Sequence, residues 1–336
     1  MANQYYRPHA LVTMLLISFC FLMSCKEHKP APMISAGQVQ ANIAAMDRLI
    51  DAKQFENATL VARALASQAP QDPLASEALA RALLSQCNAN PTAELKNETA
   101  LAYAKAAAQR PTSPGLQSAA GMAAYGAGNI EEAIHFHQKA RQLEPGNPQH
   151  LYMEAMMWNA SAKPITAIGL LQMALKLQPD SPEIEMGLAE ALAQNGEAQP
   201  SIQHMQRARE LSGHDSTIRF RAAALLRSVG QSSEAAEMLL GAVSIGSADR
   251  ATCELCANCL TDAGKHAQSA EVWEQLAAMT LMQPQPLLEA ARSWSRAGQD
   301  ETALIFLEKA RQANPPQEYF ELVREEILAR KKTKSE

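Results

Sequence analysis

The sequence predicts an all-α fold of repeated helical hairpins, and three observations carry that expectation. Gly196, Gly230, Gly264 and Gly298 recur every 34 residues. Small residues run in step with them, at Gly121, Ala155, Ala189, Ala223, Ala257 and Ala291, and again at Ala133, Ala167, Ser201, Ala235, Ser269 and Ala303. The composition agrees: the 336 residues are 47% hydrophobic and only 5% aromatic, and alanine joins high helix propensity to a side chain small enough for helices to meet backbone to backbone.

At the N-terminus, Ala10 to Ser24 is an uncharged, mostly apolar run preceded by Arg7 and His9. A membrane-spanning helix needs about 20 residues, so the run is short for a span and suited to the core of a secretory signal. Its end, Leu22-Met23-Ser24-Cys25, resembles the lipobox of bacterial lipoproteins. In that family the thiol is diacylglycerylated, the chain is cut just before it and the new N-terminus is acylated. The resemblance implies that residues 1–24 are a lipoprotein signal peptide and Cys25 is the lipidated residue, heading a tether over 25–38. One acyl chain binds a membrane marginally, whereas two or three hold it. Lys26 in place of Asp after the cysteine implies the outer membrane, on its periplasmic side. An ordinary signal peptide and a short signal anchor are the alternatives. Lys26 to Met33, with two prolines, extends to at most about 25–30 Å.

The repeat then divides the chain into hairpins at 39–72, 73–113, 114–147, 148–181, 182–215, 216–249, 250–283 and 284–317. The glycines suit the ends of first helices, where a left-handed residue costs glycine nothing sterically. The second hairpin is 41 residues long, and its surplus of seven is expected in the Cys87 to Glu94 stretch, as a longer loop between its helices. Residues 318–336 form a capping helix and basic tail, with Tyr319, Phe320, Val323 and Ile327 on one side.

These residues resemble the tetratricopeptide repeat family, with its 34-residue period, small residues at positions 8, 20 and 27 and proline at position 32, here Pro70, Pro111, Pro145, Pro179 and Pro315. The resemblance covers residues 39–317. It implies a right-handed α-α superhelix of about eight hairpins plus a C-terminal capping helix, with the first helices lining a concave face that binds proteins or peptides. Carrying the family's groove positions over gives Met122, Tyr125, Tyr152, Met156, Asn159 and Met186 as an apolar patch. Methionine and tyrosine suit such a surface. The alternative is that superhelical twist turns some of them into packing between repeats. Farther along, Arg227, Arg292 and Arg296 stand opposite Glu254 and Asp262, either pairing with them or reading acidic groups of a partner. The Lys and Asn set with which some members grip a chaperone's terminal carboxylate is absent.

Formal net charge is −5, from 30 Lys and Arg against 35 Asp and Glu, with no basic stripe interleaved with aromatics. Affinity for nucleic acid rests largely on cations that neutralise phosphates, so the composition disfavours that partner and none is expected. Cys253, Cys256 and Cys259 fall at core positions of the seventh hairpin, and small buried hydrophobes are the favoured reading over a metal site or a disulfide. His135 and His137, two apart on a helix, point to different faces; His204 is a lone surface residue and Cys87 a lone one in the enlarged turn. No cofactor, metal or catalytic motif is expected. The chain therefore reads as a non-catalytic, membrane-anchored scaffold in a bacterial envelope assembly of the pilus, outer-membrane or polysaccharide-export type. The alternative is an enzyme, or a non-catalytic subunit of one, acting on cell-wall or polysaccharide substrates.

Overall fold

A computed structural model describes residues 34–281 and 283–335. All of its elements are helices: α1 Ala36–Asp51, α2 Phe55–Gln68, α3 Pro73–Ala89, α4 Ala93–Gln109, α5 Pro114–Gly126, α6 Ile130–Leu143, α7 Pro148–Ala160, α8 Pro164–Leu177, α9 Pro182–Gln194, α10 Ala198–Ser212, α11 Ser216–Ser228, α12 Ser232–Ser244, α13 Arg250–Asp262, α14 His266–Met279, α15 Pro284–Arg296, α16 Asp300–Gln312 and α17 Gln317–Ser335. The chain divides into two compact units, α1–α5 ending at Ala127 and α6–α17 beginning at Gly128.

The helices start where the sequence supplies a partner for orphan N–H groups. Ser113, Asn147, Ser181, Asp215 and Asp249, again 34 residues apart, each accept a backbone N–H from the first turn of the helix that follows. A side-chain cap of this kind contributes about 1 kcal/mol. Proline at the first position of α3, α5, α7, α9 and α15 presets the helical φ where its missing N–H would have no partner anyway. Helix α1 opens on a reciprocal box between Ser35 and Gln38. It begins at Ala36, so residues 36–38, expected in the tether, are helical.

First helices end on a left-handed residue, with φ of +84° at Gly196, +82° at Gly230, +73° at Gly264 and +88° at Gly298. The next N–H then reaches back over the last turn, as Gln231 N–H does to Leu226 O at 2.8 Å. Ala162 and Lys53 take the same left-handed conformation, each at φ +57°, without glycine's freedom. Between helices, Ala155, Ala189, Ala223, Ala257 and Ala291 are wholly buried, as are Ala167, Ala235 and Ala303 opposite them. Where serine stands in the second series it satisfies itself on its own hairpin: Ser201 Oγ donates to Ala189 O at 2.8 Å and Ser269 Oγ to Ala257 O at 2.9 Å.

The enlarged hairpin differs from expectation. Helices α3 and α4 are 17 residues each, against 13 in α5, and only Asn90 to Thr92 connects them. The surplus lengthens both helices by about a turn instead of forming a loop. Cys87 consequently lies buried inside α3, not in a turn. At the other end, α17 continues helical through Ser335, taking in much of the basic tail.

The left-handed positions give a paired prediction. Ala162→Gly relieves a non-glycine residue held at positive φ and should raise stability by about 1 kcal/mol, while Gly230→Ala should lower it by about as much, both read from urea midpoints.

Candidate functional site

In the first unit, the added turns of α3 and α4 stand beside the shorter α5. A mostly apolar cavity of about 520 Å³ opens there between Leu84 and Cys87 of α3, Tyr103 of α4 and Ala119, Met122 and Gly126 of α5. Met122 and Leu84 remain 44% and 38% exposed. Lys96 supplies its only charge, and Gly126 leaves open space where a side chain would stand. Tyr125, one turn from Met122, is 43% exposed. Two of the expected groove residues therefore present apolar surface beside a cavity that the sequence did not announce.

In the second unit, Tyr152 and Met156 of α7 lean on Gly187 of α9. A Cβ at Gly187 would lie 3.0 Å from the Tyr152 ring and 3.5 Å from Met156 Sδ, so the missing side chain is what admits them. Both remain partly exposed, as does Asn159. Met186 does not: it is wholly buried, packed in the cluster with Met205, Ile218 and Ala222. It leaves the proposed surface because the next first helix, α11, closes over α9 at that point.

Beside these residues runs a polar network that position-matching missed. Arg221 of α11 clamps Glu190 of α9 through two bonds of 2.8 Å and reaches the Tyr152 hydroxyl at 3.5 Å. The pair is four-fifths and three-quarters covered. Burial of the guanidinium is the largest single influence and lowers the pKa of Arg221, but the hydrogen bond and charge of Glu190, with a smaller contribution from Tyr152, together outweigh it and raise the pKa. The bidentate Arg–carboxylate pair joins α9 to α11, and the longer contact to Tyr152 brings in α7.

Of the three arginines expected in the groove, two are occupied within the chain. Arg227 Nε meets Asp262 at 2.6 Å. Arg292 bonds Glu326 through Nε at 2.8 Å and Nη2 at 3.2 Å, and Tyr319 through Nη1 at 3.3 Å; Tyr319 in turn donates to Glu289. Glu254 pairs with Arg250 of its own helix, not with these arginines. Arg296 is exposed at the edge of a cavity of 330 Å³ that also takes in Ser295 and Ile327.

Cys253, Cys256 and Cys259 are buried free thiols. Burial first, and then its two cysteine neighbours, push Cys256 up to about 12, which keeps it protonated and inert. Among the described residues no cluster of His, Cys, Asp and Glu is arranged to hold a metal ion. His204 is no lone residue: its Nδ1 lies 2.6 Å from Glu185 Oε2. No helix among the described residues is long and apolar enough to cross a membrane. The expected signal peptide over 1–24, Cys25 and the tether up to residue 33 lie outside the described residues.

No family model and no curated protein matches the chain. Among solved structures it is similar to a tetratricopeptide repeat protein from Parabacteroides merdae ATCC 43184, with a TM-score of 0.57 and 12% identity over 87% of this chain and 100% of that one. It is also similar to the APC/C hetero-tetramer Cut9-Hcn1, with a TM-score of 0.52 and 14% identity over 76% of this chain and 48% of that one. At such identities the likeness is one of fold: all-α, stacked hairpins of the tetratricopeptide type.

The covered and exposed arginines should part company on mutation. Arg221→Ala strips Glu190 and the Tyr152 hydroxyl of a charged donor and should cost about 1.5–3 kcal/mol, whereas Arg227→Ala, at an exposed pair, should cost less than about 1 kcal/mol; urea unfolding separates the two.

Proposed function

We propose that this chain is a non-catalytic protein-binding scaffold, tethered to a bacterial membrane by lipid on Cys25. The observation that carries the scaffold reading is the apolar surface beside the α3–α5 cavity, where Met122, Tyr125 and Leu84 stay exposed around an opening lined mostly by apolar side chains. Apolar area rimmed by polar groups is the usual mark of an interaction site, and flexible methionine beside rigid tyrosine adapts to a peptide at low entropic cost. Tyr152, Met156 and Asn159 form the corresponding candidate surface in the second unit, with Arg296 the groove arginine not engaged in one of the ion pairs described above.

The anchor and the setting rest on the N-terminal sequence. An apolar run ending at Leu22-Met23-Ser24-Cys25 supports export and lipidation, and Lys26 supports an outer-membrane address facing the periplasm. An adaptor in an envelope assembly, of the pilus, outer-membrane or polysaccharide-export kind, is the role that joins the two readings. The competing reading is an enzyme, or a subunit of one, acting on cell-wall or polysaccharide substrates.

Crosslinking in cells tests the scaffold. Met122→Glu with Leu84→Glu, and separately Tyr152→Glu with Met156→Glu, should each leave the helical circular dichroism in place while at least one of the two pairs removes a crosslinked partner. Retention of every partner in both variants would mean a structural spacer, and turnover of a polysaccharide by the purified chain alone would mean an enzyme. For the anchor, Cys25→Ser should abolish incorporation of labelled fatty acid; undiminished labelling would dismiss it.

A further inference from the structure

Three ionisable side chains stand where the other hairpins of the second unit place mostly apolar core. His137 of α6 is wholly buried, and the residues at 34-residue steps from it are Leu171, Met205, Leu239, Trp273 and Leu307, all buried. Glu154 of α7 is 2% exposed, in step with Leu188, Ala222, Cys256 and Ala290. His150, at the start of α7, is 6% exposed, in step with Ile184 and Ile218, both buried, and farther on with the partly buried Thr252 and with Pro286. Repetition makes these departures conspicuous, because no other hairpin of the second unit puts an ionisable carboxylate or imidazole at these places.

The layer is only partly satisfied. Glu154 is held by Arg141 of α6, whose Nε lies 2.6 Å from Oε2, and by the Trp158 indole at 3.3 Å from Oε1. His150 Nε2 meets Glu144 at 3.0 Å, in the turn between the helices. Both ring nitrogens of His137 and Nδ1 of His150 are buried without a partner. An unpaired buried polar group destabilises the fold that holds it, so His137 weakens a layer that apolar side chains fill in its counterparts. The charged and titratable groups around it are His150 and Glu154 from α7, with Arg141 and Glu144 behind them, while His135 and Lys139 of its own helix are exposed.

We propose that the α6–α7 junction is a proton-operated weak point in the stack: acidification charges His137 inside the core layer, and α6 parts from α7 while the later hairpins stay closed. The ring has no hydrogen-bond acceptor waiting for a second proton, and His150 beside it opposes the new charge, whereas Glu154 is already engaged by Arg141 and Trp158. Burial first, then His150, hold His137 down to about 4 from its ordinary 6.5, against the pull of Glu154. The folded value is the lower one, so the junction has its full strength above about pH 6.5 and weakens as pH falls toward 4. A displacement of that size corresponds to an opening equilibrium that changes on the order of 100-fold.

Hydrogen exchange of the full chain, read by mass spectrometry at pH 7 and pH 5 and referenced to the intrinsic rate at each pH, tests this. Protection in 130–160 should fall at least ~10-fold more than in 216–244 on acidification. His137→Leu, which installs the residue found one, three and five repeats on, should remove that difference, and His135→Leu, at the exposed neighbour, should leave it. The proposal is overturned if 130–160 loses no more protection than 216–244, or if His137→Leu opens like the parent. A His137 imidazole that titrates by NMR at 6.5 or above would overturn it equally.

Discussion

Each hairpin exists because two helices come close enough for their backbones to be separated by little more than a methyl group. Ala155, Ala189, Ala223, Ala257 and Ala291 have no exposed surface at all, and the second series facing them is as deeply buried. Close packing leaves no slack at such crossings, since extra methylenes force rotamers and backbone aside at about 1–3 kcal/mol. Away from the crossings the demand relaxes. Leu171, Met205, Leu239, Trp273 and Leu307 fill equivalent places with very different shapes, because a larger gap between helices accepts any apolar body of suitable volume.

That constraint explains what could be read from the chain and what could not. The period of the small residues announces the helices, the glycine turns and the order of hairpins, because a crossing tolerates only a few residue types. The capping series from Ser113 to Asp249 was equally present in the sequence, yet its polar letters change between Ser, Asn and Asp, so only their shared ability to accept an N–H unites them. The enlarged hairpin departs from a longer loop for a geometric reason. Seven residues are close to two helical turns, so sharing them between α3 and α4 keeps every buried face pointing inward, and helix propagation is then cheaper than an unpaired loop.

Met186 shows where position-matching fails. Whether a first-helix side chain looks outward or into the next hairpin depends on the local rotation between neighbours, and here α11 closes over it. One residue on, the absent side chain of Gly187 draws Tyr152 inward and brings its hydroxyl within reach of Arg221. The charged residues behave similarly. Arg227 and Arg292 find carboxylates about one repeat away, since stacking places side chains 34 or so residues apart next to one another. Opposite charges at that interval pair across the stack before any partner arrives.

A repeat array is stabilised by contacts between neighbours, so a departure in one hairpin does not propagate to the others. Specialisation can then be placed at one hairpin without redesigning the rest. The longer α3 and α4 create a cavity without disturbing α5, and the ionisable layer of His137, His150 and Glu154 sits beside an ordinary apolar layer at Leu171 and Leu188. Both features reduce local stability relative to a regular hairpin, the first by leaving apolar surface uncovered and the second by burying polar groups. A chain under pressure only to stack would have replaced them with the residues its own other repeats already use. Their presence argues that these two hairpins answer to something besides folding, and the regular hairpins around them supply the internal standard against which that can be measured.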